Sequence, residues 1–418
     1  MTTQARSREA STRHTSVWRW LAAALIIASA ASLPILRFLV FWPQDQWQVD
    51  IEVYREAGVS LLIGRPIYLA MTEAPQLLPF TYPPFAAFLA LPLALIPFRA
   101  AAWLWTVGQV AATTGIVWYA GYRLIHRAGR ADPLILGCLT AVALWLHPVA
   151  DGIRFGQINA LLVLLVLMDL RRPRPGLIAR VPPGVFVGLA MSIKLTPGVF
   201  VLHYLLCRRW REAGTAIGTA ALVTVLAAIA QPQSSVVFWG GALQDPARLG
   251  PNRGTSNQSI RGVLMRLGPE GRPGTVLWLL LVLLVGFAGF RIARRAYAAG
   301  DSVTEVAAVG LMACLLSPVA WIHHFHWIVV VILAILGPNP LPGPSRDRRR
   351  LIGAGVITVW FLCRLPWWGI SWIADAWSPL FIGRFLQNAD LFGALLALWL
   401  LGRSLAWGSP PREAGAGA

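Results

Sequence analysis

VLWLLLVLLVGFAGFRIARR, residues 276–295, runs apolar from Val276 to Phe290 and is then stopped by Arg291, Arg294 and Arg295. A run of this kind approaches the roughly 20 residues needed to cross a bilayer. An arginine cluster at its end is the mark of a cytoplasmic boundary. The same pattern recurs along the whole chain of 418 residues, which is 56% hydrophobic and 13% charged. Soluble domains carry about 25% charged residues, so this is a polytopic helical membrane protein. No polar stretch is long enough for a separate soluble domain.

The net charge is +18, from 36 Lys and Arg against 18 Asp and Glu. These charges sit in short clusters between apolar runs, which argues for membrane orientation and against nucleic acid as a partner. Cys138, Cys207, Cys314 and Cys363 are single and lie in or beside apolar segments. No zinc-ligand spacing exists, so neither a disulfide nor a structural metal is expected.

The charge rule gives a topology. Residues 1–16 form a basic cytoplasmic tail, and an uncleaved first span begins near Val17. A single transmembrane unit covers 17–406, with external loops at about 42–82, 147–157, 231–275 and 365–387, and residues 407–418 form a cytoplasmic tail. The expected total is about ten to twelve spans in an all-α bundle. Trp42 and Trp47 suit an interfacial aromatic belt. The stretch VPPGVFVGLAMSIKLTPGVFVLHYLLCRRWR (181–211) has basic ends on both sides, so it is read as a broken or re-entrant pair with its break at Lys194.

On this map the uncommon polar motifs converge on the outer face. In QVDIEVYREAG, Asp50 suits either a helix N-cap or a partly buried general base, and Glu52 lies on a neighbouring face. Tyr82, before Pro83 and Pro84, suits a rigid helix entry at an interface. Gln157 and Asn159 of RFGQIN offer both donors and acceptors, as hydroxyl-rich ligands such as sugars require, or ordinary turn chemistry. Lys194 lies in apolar surroundings, where a charge either snorkels to an interface or is functional. Asn257, Gln258 and Arg261 lie in NRGTSNQSIRG, a loop suited to binding a phosphate or simply to solvation.

SPVAWIHHFHW (317–327) then places His323, His324 and His326 within four positions. Their spacing is not that of HExxH and no carboxylate lies nearby in sequence, so anion binding, proton handling or simple interfacial packing suits them better than a metal.

These motifs, DIEVYREAG, FTYPPFAA, GQIN, IKLTPG, NQSIRG and SPVAWIHHFHW, taken in order, closely resemble glycosyltransferase family 87. These are polyprenol-phosphate-mannose-dependent α-1,2-mannosyltransferases of actinobacteria, within the C-type glycosyltransferase superfamily. The resemblance runs from about Trp47 to Trp327, and Val319, Ala320 and His326 depart from its usual pattern. It implies a C-type glycosyltransferase fold in the plasma membrane with an extracytoplasmic site. It also implies a polyprenyl-phosphate-mannose donor, a glycolipid acceptor such as a phosphatidylinositol mannoside or lipomannan, and contact with membrane lipids. The family's acid–base Asp falls on Asp50, and its His-His pair on His323 and His324. Lys194 and Arg261 are further candidates for the donor phosphate. The donor carries its own leaving group, so no cofactor or metal is expected. A transferase for another polyprenyl-phosphate sugar and a lipid flippase remain the competing readings, and the sequence leaves the oligomeric state open.

Overall fold

The computed structural model describes residues 17–32, 35–36, 48–74, 77–171, 174, 176–337, 346–375 and 377–407. The belt tryptophans at 42 and 47 and both terminal tails lie outside these residues. The described chain is built of helices, with two isolated antiparallel bridges, Met71 with Pro79 and Asn257 with Trp321.

Helix α1 covers Val17–Ser32. It is followed by α2 (Val49–Leu62), α3 (Pro84–Leu89), α4 (Leu91–Ala94), α5 (Phe98–Arg127), α6 (Asp132–Trp145), α7 (His147–Phe155) and α8 (Asn159–Leu170). Next come α9 (Val185–Ile193), α10 (Val199–Leu206), α11 (Trp210–Ala230), α12 (Pro232–Gly240), α13 (Ile260–Leu267), α14 (Gly271–Ala298) and α15 (Ser302–Leu315). A 3-10 turn at Ile322–Trp327 leads into α16 (Ile328–Leu336), and α17 (Arg346–Leu362), α18 (Leu365–Ala374), α19 (Leu380–Gln387) and α20 (Ala389–Trp407) complete the chain.

Among the described residues three helices, α5, α11 and α14, are long and apolar enough to cross a membrane, and three bent pairs bring the number to six. Five further apolar helices, of 10–17 residues, fall short of a full span. The architecture is the expected all-α polytopic one, but many of its spans are broken or short. The breaks have local causes. Leu146 is extended (φ −57°, ψ 132°) and Pro148 opens α7, so α6 and α7 meet at 74°. Lys194 is also extended (φ −148°, ψ 131°) and ends α9, placing the interruption at the expected residue. The region 365–387, expected to be external, is built of two short helices, α18 and α19. Their backbones approach so closely that a Cβ on Gly369 would stand 2.1 Å from the Gln387 nitrogen.

Helices α15 and α16 form the centre. Thirteen of the fourteen residues of α15 and eight of the nine of α16 are buried, and α16 is apolar on every side. Helices α11 and α14 are peripheral, with leucines such as Leu222, Leu226, Leu280 and Leu283 exposed, as a lipid-facing surface requires. At one end, buried Glu305 accepts from Arg209 Nη1 (2.8 Å) and pairs with His203 Nε2 (2.9 Å), tying α10 and α11 to α15.

The arginine-bearing helix ends gather at one face. Arg123, Arg171 and Arg350 line a single cleft, together with the turn at Gly300 and the end of α16 at Gly337. Helix α8 runs from that face, at Arg171, back to Asn159 over only 12 residues, which is about 18 Å. At the far end of α8, Asn159 opens onto a recess in the bundle, beside Thr196, Pro197, Cys314 and His324.

Candidate active site

The recess is assembled from four separate stretches of chain. The first is the start of α2. Gln48 is fully buried in the left-handed region (φ 60°). Its N–H donates to Arg154 O (2.8 Å), and its side-chain amide donates to Ile153 O (2.5 Å) and Thr106 Oγ1 (3.1 Å). These bonds pin the start of α2, and with it Asp50, against the end of α7. Gly156 completes the junction at φ 76°, because a Cβ there would lie 2.6 Å from Ile51 Cγ1.

Asp50 is half-buried. Burial raises its carboxyl above the ordinary 3.8. The charges of His323 and Lys194 and a hydrogen bond from Gln157 partly oppose that rise. A carboxylate held in this way is suited to accept a proton. Tyr54 and Tyr82 stand beside it, with hydroxyls 3.0 Å apart and rings edge to face at 5.2 Å. Burial, followed by neighbouring charge that includes Asp50, raises both phenols, so they remain protonated donors. Tyr82 donates on to Gln157 Oε1 (3.4 Å).

The second and third stretches are the start of α8 and the α9 break. Lys194 Nζ donates to Asn159 Oδ1 (3.2 Å) and to His324 Nε2 (2.9 Å), and lies 5.4 Å from the centre of the Tyr82 ring. Among the described residues no carboxylate is within ion-pair distance of it. A half-buried ammonium whose hydrogen-bond partners are both neutral, with the Asp50 carboxylate near but outside ion-pair distance, is a ready site for an anion. Lys194, Leu195, Thr196 and Pro197 follow one another at the break, and a small cavity there is lined by residues that include Asn159, Thr196, Pro197, Cys314 and His324.

The fourth stretch carries the histidines. Asn159 Nδ2 donates to His323 O (3.1 Å) and Cys314 Sγ to His324 O (3.2 Å), fixing the 3-10 turn against α8 and α15. His323 and His324 face each other with ring centres 4.9 Å apart. His326 points away from the recess, buried with its Nε2 3.4 Å from Thr113 Oγ1, which gives this third histidine a packing role. Among the described residues no group of three His, Cys, Asp or Glu is placed to hold a metal ion.

Asp50, Tyr82, Gln157, Asn159, Lys194, His323 and His324 are thus brought together. Four other residues are not. Glu52 turns outward and accepts from the Glu73 N–H (2.8 Å). Asn257 and Gln258 are fully buried braces rather than lining. Asn257 Oδ1 accepts from Ala320 N (3.0 Å) and Ser259 N (3.3 Å), and Gln258 Nε2 donates to Gln387 O (2.8 Å). Together they hold the segment leading into the histidines. Arg261 lies 5.0 Å from the Trp278 ring centre in a different cleft, shared with Arg253 and Arg272. One residue escaped the sequence reading: Asp151, whose Oδ2 is 3.5 Å from His323 Nδ1. In sequence it is an acid in the turn-like HPVADGIRF, and only the fold reveals its neighbour.

The family model described as glycosyltransferase family 87 matches residues 80–318. The chain belongs to glycosyltransferase family 87. This family-87 chain is 34% identical over 304 residues to a polyprenol-phosphate-mannose-dependent alpha-(1-2)-phosphatidylinositol mannoside mannosyltransferase of Mycobacterium tuberculosis, covering 69% of this chain and 70% of the relative. It is 31% identical over 368 residues to that organism's phosphatidylinositol pentamannoside mannosyltransferase of the same donor class, covering 85% and 80%. A Mycolicibacterium smegmatis phosphatidylinositol mannoside mannosyltransferase is 30% identical over 397 residues, covering 86% and 85%. No solved structure matches the chain. The family match contains Tyr82, Asn159 and Lys194, and Asp50 and the two histidines flank it.

Proposed function

We propose that the chain is an inverting mannosyltransferase. It takes mannose from polyprenyl-phosphate-β-mannose and passes it to a hydroxyl of a phosphatidylinositol mannoside or related glycolipid, forming an α-1,2 linkage. The activities named for its relatives supply the donor and acceptor classes. The observation that carries the reading is the pairing, in one recess, of a carboxylate raised by burial with an ammonium that has no carboxylate partner.

The chemistry follows from that pairing. The acceptor oxygen attacks C1 of mannose while Asp50 takes its proton. The bond from C1 to the phosphate oxygen breaks, and its electron pair stays on the phosphate. Negative charge grows there, and Lys194 with the histidine pair offers N–H donors to receive it. Tyr54 and Tyr82, protonated, are placed to hold sugar hydroxyls. A recess in the bundle suits a donor whose prenyl tail stays in the lipid.

The same reading places the site on the extracytoplasmic face of the plasma membrane with both termini in the cytoplasm. It is supported by the gathering of Arg123, Arg171 and Arg350 at the opposite face. The test is to supply the purified protein with polyprenyl-phosphate-mannose and a mannolipid acceptor. The reading requires a product one mannose larger and α-1,2-linked; no transfer, or transfer from another polyprenyl-phosphate sugar alone, would contradict it. An epitope tag inserted at Arg253 should be reachable only from outside the cell.

A further inference from the structure

Two histidines stand side by side in the recess, but their surroundings differ. His324 Nε2 is occupied, accepting from Lys194 at 2.9 Å. That bond requires an unprotonated nitrogen, so His324 serves as a neutral support for the ammonium. His323 is 7% exposed, and Asp151, itself 2% exposed, lies 3.5 Å from its Nδ1. Both ring nitrogens of His323 and Asp151 Oδ1 are buried with no hydrogen-bond partner among the described residues, so Asp151 stands within ion-pair distance of Nδ1 without a formed hydrogen bond to it. The ring also lies close enough to Asp50 for its charge to act there.

We propose that Asp151 is a positioning residue that takes the Nδ1–H of His323 and so makes His323, not His324, the imidazole that meets the reacting groups. With the proton of the neutral ring fixed on Nδ1, Nε2 is left as the working nitrogen toward Asp50 and the leaving phosphate. It is available either to donate as imidazolium or to accept a proton passed on from Asp50. Phe155, edge to face with His323 at 5.8 Å, restricts the ring from its side. Behind Asp151 the polar chain continues to a second buried pair, His147 and Asp390, 3.9 Å apart. Trp367 Nε1 donates to His147 Nε2 at 2.9 Å, so that outer histidine is also held in a fixed orientation.

The inference rests on the mannosyltransferase reading, and the two fail differently. Failure of that reading is a wild-type protein that transfers nothing. The test compares Asp151→Asn, His323→Gln and the double variant by steady-state kinetics on both substrates. The expected result is a kcat reduced at least roughly tenfold in Asp151→Asn, because the ring loses the acceptor that fixes its tautomer and orientation. The donor KM should stay within about twofold. In the His323→Gln background, Asp151→Asn should cost nothing further, because residues acting through one group do not add. A wild-type kcat in Asp151→Asn, or equal losses in both backgrounds, overturns the assignment. Should Asp151→Asn not fold, Asp151→Ala is read with and without added formate. Recovery of kcat by formate supports the proposal, and no recovery overturns it.

Discussion

Lys194→Met asks directly whether the recess is built for an anion. Methionine keeps the length and apolar stem of lysine but removes the charge and the N–H donors. In the free protein the ammonium donates to Asn159 and His324, both able to remain neutral, and gains no ion pair to offset its desolvation. Methionine removes that desolvation cost but leaves Asn159 Oδ1 and His324 Nε2 without their donor, at about 1–3 kcal/mol each, so the unfolding temperature should fall modestly. The substrate loses a charged hydrogen bond to its phosphate, worth about 1.5–3 kcal/mol. At 1.36 kcal/mol per tenfold, kcat/KM should fall by about 10- to 150-fold. A fall in kcat would mean that Lys194 acts on charge developing at the leaving oxygen, and a rise in donor KM alone would mean ground-state binding. The assay is mannose transfer from purified donor at several donor concentrations. A Lys194→Met protein within twofold of wild type in kcat/KM would refute the role.

Three further outcomes follow from named contacts. Gly156→Ala forces a left-handed residue and a Cβ 2.6 Å from Ile51, costing about 1–2 kcal/mol for the backbone and about 1–3 for crowding; the unfolding temperature should fall, and activity with it as α2 moves. Asn257→Ala removes the acceptor shared by the Ala320 and Ser259 N–H groups, at about 1–3 kcal/mol for each group left unpaired; thermal unfolding should show it, although Asn257 does not line the recess. The Asp50 carboxyl is raised above 3.8 and must be ionised to act. Activity should therefore fade on acidification at a higher pH than an ordinary carboxylate would allow, as a pH profile of kcat/KM would reveal.

The sequence made the scaffold readable because apolar length and arginine clustering report directly on the bilayer. The break at Lys194 was equally visible, since a charge followed by Thr196 and Pro197 cannot continue an apolar helix. Asp50 and the histidines were legible only through their motifs. Asp151 was not, because its meaning depends on His323 arriving beside it from a distant turn. Asn257 and Gln258 show a related limit: a polar side chain bracing a buried loop, as theirs do through bonds to Ala320, Ser259 and Gln387, carries the same sequence signal as one that meets a ligand. The helices α18 and α19 were hidden because a stretch rich in Trp and Phe with Arg384 and Gln387 resembles an interfacial loop until its glycines bring the two backbones together.

The most direct measurement is mannose transfer by wild type and Asp50→Asn under identical conditions, with thermal unfolding of both at neutral pH. Burial raises the Asp50 carboxyl, so folding favours the protonated form. That contribution to stability is full below the unfolded value and is lost as pH rises through the folded one. At neutral pH the asparagine variant should therefore unfold at a temperature equal to or above that of wild type while transfer is abolished. A folded Asp50→Asn protein that transfers mannose at the wild-type rate would contradict the account.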